Sequence, residues 1–218
     1  MFLTRCYAVL GIFLGCHGQS LPLAAPGQDQ VSVLLDKVAV LYEYGRPICS
    51  GAFLDNGRVL SAAHCYDPDV TISVASYDGH KQVPPVTWAY ECESIDEESD
   101  LVTLRPQTEA PLYWSPFELG RGDLPRGTDV ATIGHPLGFL YSWSSGVVSL
   151  PRFVDDDGVW IMATVPTWFG NSGGPLIAGD GKLYGIASFI VNKNPTLAFY
   201  AHTDSIRYHL MQPLAGCL

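Results

Sequence analysis

The run FGNSGGPLIAG, from Phe169 to Gly179, surrounds one serine, Ser172, with small residues and then turns apolar. Glycines at 170, 173 and 174 let the backbone adopt conformations and close approaches that a Cβ forbids. A tight buried turn needs that freedom. So does a nucleophile whose neighbouring amides must come close to a reacting carbonyl. The run by itself leaves both readings open, and the rest of the chain has to separate them.

Two upstream stretches bear on the choice. GAFLDNGRVLSAAHC, Gly51 to Cys65, reads as a hairpin whose second strand ends in Ala62-Ala63-His64-Cys65. ESDLVTLRP, Glu98 to Pro106, sets Asp100 directly before an apolar strand, a position its rivals Asp96, Glu97 and Glu98 do not share. A serine hydroxyl is a weak nucleophile near neutral pH; it needs a base to take its proton, and the base needs an orienting carboxylate. Histidine suits the first task because its ordinary pKa is about 6.5. Alone, His64 reads as structural and Ser172 as a turn residue. Together with Asp100 they make a candidate catalytic set, and the amides of Gly170 and Ser172 can stabilise an oxyanion if the turn folds them inward.

The composition fits an ordered, exported protein. The chain has 218 residues, 47% of them hydrophobic, enough for a sizeable core, and a formal charge of −10, which argues against a nucleic-acid partner. Acidic runs such as Asp155-Asp156-Asp157 read as solvated loop. Residues 1–18 read as a signal peptide: Arg5 supplies the charge, and the apolar stretch from Cys6 to Cys16 is too short to span a bilayer. A lipid anchor at Cys16, after an imperfect lipobox, is the second reading. Residues 19–30 are a Pro/Gly/Ala/Gln-rich linker, and the domain proper is 31–218. Outside the signal region four cysteines remain, Cys49, Cys65, Cys92 and Cys217, an even count that in an exported chain implies two disulfides. Cys49 lies sixteen positions before Cys65; a bridge there closes a loop worth about 3 kcal/mol in the chain-entropy model and fixes the backbone beside His64. His80, His135, His202 and His209 show no metal spacing and read as surface or hydrogen-bonded structural residues. No cofactor is expected. Arg121-Gly122-Asp123 is an adhesion tripeptide only on paper.

Twelve short β-rich runs separated by turn signals such as Asp55-Asn56-Gly57 and Asp180-Gly181 predict two barrels or a sandwich. Their expected spans include 38–44, 51–54, 86–90, 146–150 and 196–202. The Pro-containing stretch 108–126 joins two lobes, about 31–110 and 126–203. Only 204–212 reads as a helix, capped by Thr203 or Asp204.

Ser-Ala-Ala-His-Cys, Ser-Asp-Leu-Val-Thr-Leu and Gly-Asn-Ser-Gly-Gly-Pro-Leu, in that order, resemble the trypsin-like (chymotrypsin-fold) serine peptidases over roughly 38–210. The resemblance implies an all-β fold of two six-stranded antiparallel Greek-key barrels with a C-terminal helix and a site in the cleft between them. It implies His64 as general base, Asp100 as its orienter, Ser172 as nucleophile and the Gly170 and Ser172 amides as oxyanion hole. Ser188, in YGIASF, falls where such enzymes pair with extended substrate. The Cys49–Cys65 bridge follows the family pattern. Cys92–Cys217 rests on parity and on the family's helix packing near the segment before the catalytic aspartate.

Departures from the family matter as much. Animal trypsins carry an aspartate before the nucleophile that pairs with a newly cut N-terminus; here it is Asn171, and no Ile-Val-Gly-Gly-like start is present. With IGHPLGF at 133–139, the chain looks nearer the bacterial secreted, HtrA-like branches, expected to be competent without activation cleavage, though without room for a PDZ domain. Alignment of the primary pocket gives Pro166, Ile190 and Ala198, with no carboxylate at its base, so small apolar residues are the expected preference on the acyl side of the cut. The expectation is a secreted or periplasmic, monomeric serine endopeptidase acting on protein or peptide; the alternative is a non-catalytic binding protein on the same fold.

Overall fold

The computed structural model describes residues 28–79, 86–109, 113–191, 194–212 and 217. The expected signal peptide, Cys6 and Cys16, most of the linker and His80 lie outside these residues. Among the described residues no helix is long and apolar enough to cross a membrane.

Twelve strands close into two six-stranded antiparallel barrels. The first contains β1 (Val38–Glu43), β2 (Arg46–Phe53), β3 (Val59–Ser61), β4 (Ile72–Ala75), β5 (Trp88–Asp96) and β6 (Leu101–Pro106). The second contains β7 (Asp129–Gly134), β8 (Ser142–Val154), β9 (Val159–Ala163), β10 (Pro175–Ala178), β11 (Leu183–Ile190) and β12 (Ala198–His202). In the first barrel β3 pairs with β6 rather than β4, the Greek-key crossover, and β4 closes onto β1. Closure removes the free edges that open sheets must otherwise protect.

Alternation along the strands sorts side chains between two kinds of core. On β12, Ala198 and Tyr200 fill the second barrel, while Phe199 and Ala201 face a cluster shared between the barrels. On β1, Ala39 and Leu41 enter the first barrel and Val38 joins the shared cluster. That shared cluster also takes Leu60, Leu101, Ile133, Ile177, Leu183 and Ile186, so the lobes are welded by apolar packing rather than merely strung together. Both faces of the central strands are therefore buried, which explains continuous apolar runs such as VAVLY.

Several boundaries differ from expectation. β8 runs through Pro151, but its pairing with β9 slips between Val148 and Leu150 and again between Leu150 and Phe153, so the proline needs no ladder donor. β5 extends to Asp96 across a bulge between Cys92 and Ser94. A helix not anticipated, α1 (Gln28–Leu35), takes the last residues assigned to the linker; its final turn buries Leu34 and Leu35 in the shared cluster. Only eight residues long, α1 owes its helix to that docking rather than to local propensity. The C-terminal helix, α2 (Thr203–Met211), starts one residue early. Its cap is His202, whose Nδ1 accepts from Asp204 N at 3.0 Å, not Thr203 or Asp204.

Candidate active site

His64 sits in a 3₁₀ turn, Ala63–Cys65, directly after β3. The turn is pinned at both ends: Cys65 is bridged to Cys49 on β2, and the His64 amide donates to Asp100 Oδ1 at 3.0 Å. Asp100 precedes β6 with φ of +50°, a backbone conformation costly for a non-glycine residue and concentrated at functional sites. His64 Nδ1 lies 2.9 Å from Asp100 Oδ2 and 3.0 Å from Oδ1. A carboxylate offers only acceptors, so Nδ1 carries the proton and Nε2 is left as an acceptor facing solvent. Ser188, on β11, donates its hydroxyl to the same Oδ2. Burial pushes the Asp100 carboxyl upward, but the hydrogen bond and charge of His64 and the bonds from Ser188 and the His64 amide outweigh it, holding the group below the usual carboxylate range. The rival carboxylates do other things: Asp96 accepts from the Ser99 amide at 3.1 Å, and Glu97 and Glu98 are exposed.

Ser172 arrives from the second barrel, in the turn leading into β10. Ser50, on β2, holds this turn twice: its amide donates to Ser172 O at 2.8 Å and its hydroxyl to Gly170 O at 2.7 Å. From the other side Gly173 N donates to Ala187 O at 2.7 Å, and Ala187 N to Gly174 O at 2.9 Å. Gly173, at φ of +79°, lies so close to the first barrel that a Cβ there would fall 2.1 Å from Ser61 Oγ and 3.0 Å from Ala62 N. The serine turn thus rests on the end of β3, two residues from His64, and only glycine fits the contact. Among the described residues the hydrogen bonds of His64 go to Asp100 and none reaches Ser172 Oγ, which is common before substrate tightens such contacts.

The same turn prepares two amides. Asn171, Gly173 and Gly174 donate their N–H groups within the fold; among the described residues the Gly170 and Ser172 amides donate to nothing. Phe169 O accepts from Leu137 N at 2.8 Å. A trans peptide holds C=O and N–H on opposite sides, so this bond turns the Gly170 N–H away from the Leu137 loop. Gly170 has φ of +98°, and a Cβ would sit 2.3 Å from His135 O.

The expected pocket residues are distributed unevenly. Ile190 and Ala198 face each other across β11 and β12, and Ile190 packs on the apolar interior of the second barrel, where Ala198 is fully buried. Pro166 is exposed; its neighbour Thr167 is the residue turned inward. Tyr200 OH lies 3.0 Å from Thr167 Oγ1, which donates in turn to Val165 O at 3.0 Å, so the hydroxyls at this end of the barrel satisfy one another. Sequence reasoning missed Ser50, Thr167 and Tyr200. Only the adjacency of Ser50 to Cys49 hinted at the first.

Elsewhere the expectations meet mixed outcomes. Cys92 and Cys217 are bridged. Of the histidines read as surface or hydrogen-bonded, His202 and His209 are buried; His209 Nε2 sits 3.0 Å from Thr103 Oγ1. His135 departs from the expectation: it is 1% exposed and neither ring nitrogen has a well-formed hydrogen bond among the described residues. Asp123 of the Arg-Gly-Asp tripeptide is exposed; it pairs with Arg152 at 3.1 Å, and His202 Nε2 lies 3.1 Å from it at a poorer angle.

These features have counterparts. Over 189 residues the chain is 30% identical to "Serine protease HTRA2, mitochondrial" of Drosophila virilis, an alignment covering 80% of this chain and 42% of that protein. Over 125 residues it is 34% identical to the protein of the same name in Bos taurus, covering 54% and 26%. The chain therefore spans less than half the length of these relatives. Among solved structures, the HtrA-type protease AlgW, determined with a tripeptide, superposes with a TM-score of 0.68 at 25% identity, covering 82% of this chain and 60% of that one. An inactive form of Rv3671c from M. tuberculosis H37Rv superposes with a TM-score of 0.69 at 18% identity, over 90% and 100%, a likeness of fold. Residues 49–186, which carry His64, Asp100 and Ser172 alike, match the family described as the trypsin-like peptidase domain, and with the double barrel around them the chain belongs to that family.

Proposed function

We propose that the chain is an active serine endopeptidase that works through an acyl-enzyme. The carrying observation is the Asp100–His64 pair: with Nδ1 committed to the carboxylate, Nε2 is free to take a proton. Ser172 Oγ attacks the scissile carbonyl as its proton passes to His64 Nε2. The resulting oxyanion is met by the unpaired Gly170 and Ser172 amides. His64 then protonates the departing amine, and water repeats the sequence to release the acid. Asp100 stays ionised and orients the ring. No step calls for a metal. The acyl-side residue is small and apolar, supported by Ile190 and Ala198 facing each other on a wall whose hydroxyls are already paired. A cationic side chain there would lose its hydration without gaining a carboxylate. The N-terminal segment and two disulfides support action outside the cytoplasm.

Incubation with a fluorophosphonate probe and mass mapping of the adduct tests the assignment. Label on Ser172, and a loss of at least about 10³-fold in peptide hydrolysis for Ser172→Ala with an unchanged melting curve, is the expected pair of results. Near-normal hydrolysis by that variant removes Ser172 as nucleophile. A folded wild type that neither labels nor cleaves is the binding protein instead.

A further inference from the structure

Beside the His64–Asp100 pair the first barrel opens a cavity of about 330 Å³. Ala63, Tyr66, Pro68 and Ile95 provide its apolar walls, His64 and Asp100 its inner boundary, and Glu97 its one further charged group. Glu97 follows β5 in the turn that ends at Asp100. Its backbone carbonyl accepts from the Asp100 amide at 3.4 Å, but among the described residues its carboxylate enters no ion pair. The turn is thereby anchored while the Glu97 side chain stays exposed at the cavity.

A cavity whose apolar walls are joined by a carboxylate that enters no ion pair suits a long aliphatic stem with a cationic head, which packs its methylenes on the walls and keeps its charge in water. The position in the cleft says which substrate residue can reach it. Successive side chains of an extended peptide point to opposite sides. A residue directed at Ile190 and Ala198 on the second barrel leaves its acyl-side neighbour directed at His64 on the first.

We infer that this cavity selects a lysine or arginine immediately before the small apolar residue at the cut, with Glu97 as the specificity determinant. The inference rests on the peptidase reading above for its register, and on the cavity for its chemistry. An exposed carboxylate offers a modest preference, since ion pairs at such sites are partly screened.

The test uses three peptides with alanine at the scissile position, preceded by lysine, norleucine or glutamate; norleucine keeps the stem and removes the charge. The wild type is expected to cleave the lysine peptide about threefold to fivefold more efficiently than the norleucine peptide in kcat/KM, with glutamate slowest. In about 0.5 M salt the advantage narrows. Glu97→Gln brings the lysine-to-norleucine ratio to about one, and Glu97→Lys raises glutamate above lysine. A wild-type ratio at or below one, or a ratio unmoved in Glu97→Gln, overturns the inference. Fluorescence anisotropy of the same peptides on Ser172→Ala reads the preference without turnover. If the wild type neither labels with fluorophosphonate nor cleaves, the peptidase reading fails alone, and the anisotropy ratio still decides the cavity.

Discussion

At the scale of single residues, Asn171 shows most directly how this chain differs from the trypsins it resembles. Its side chain is 1% exposed and packs so tightly on Gly134 that a Cβ there would lie 2.4 Å from Asn171 Oδ1. An amide tolerates that site; a carboxylate without a cation does not. Asn171→Asp is therefore expected to lower stability at pH 7 by at least about 2 kcal/mol, measured by urea unfolding. Burial raises the folded-state pKa of the new carboxyl above its unfolded value. The mutant's deficit should therefore shrink as pH falls through that raised pKa, where the protonated acid mimics the amide. A variant as stable as wild type at pH 7 would mean a cation reaches the site. The residues most legible in the sequence were those whose chemistry demands a type: Ser172, His64, Asp100 and the flanking glycines. Ser50 was not legible, because a serine that clamps a distant turn through its amide and hydroxyl looks like any strand serine. The inward-facing Thr167 was hidden by one position, since the alignment counts residues and the course of the backbone after β9 decides which of two neighbours turns in.

Three buried histidines on elements that tie the barrels together predict acid sensitivity. His135 follows β7, His202 ends β12 and His209 lies on α2. Burial pushes His135 down to about 4 against the upward pull of the backbone of Cys49, Ala39 and Gly134. Burial likewise lowers His202 and His209, against the pull of nearby carboxylates. Each is held neutral in the folded protein and protonates more readily once unfolded. Their contribution is fully present above the unfolded value near 6.5 and is lost as pH falls toward the folded values. For His135 alone the loss between about 6.5 and 4 is on the order of 3 kcal/mol. Unfolding free energy followed from pH 7.5 to 4.5 should fall steeply. His135→Gln, if it folds, should flatten the curve, and a parallel decline in that variant would assign the acid sensitivity elsewhere. These contexts were invisible in sequence because burial, not spacing, defines them. Strand number was readable from alternation and turns, whereas the lengths of β5 and β8 were not, since bulges let polar and proline residues continue a strand. Helix α1 went unseen for the reason it exists: a partner surface, not its own residues, makes it fold.

On the scale of the molecule, the site belongs to neither barrel alone. His64 and Asp100 come from the first and Ser172 from the second, and the Ser50 bonds to Ser172 and Gly170 cross between them. The connection of roughly 107–128 is tied down before its Arg121-Gly122-Asp123 stretch by Gly120 N to Leu183 O at 2.8 Å and after it by Gly127 N to Val148 O at 2.9 Å, while the stretch itself is exposed. A foreign protease site inserted after Arg121 should be cut without unfolding the rest. The cut product is expected to run as one species on a non-reducing gel and two after reduction, and, on the peptidase reading, to keep most of the hydrolysis of the uncut chain while oxidised. Two species without reductant would show that nothing covalent spans the halves. The reason lies in Cys92–Cys217, a bridge across a sequence separation of 125, which closes a ring containing the whole second barrel. A ring cut once is still one piece. Any single nick between those cysteines, whether by another protease or by a second copy of this one, opens the loop without releasing a fragment, so the molecule is built to survive one wound of the kind it is proposed to inflict.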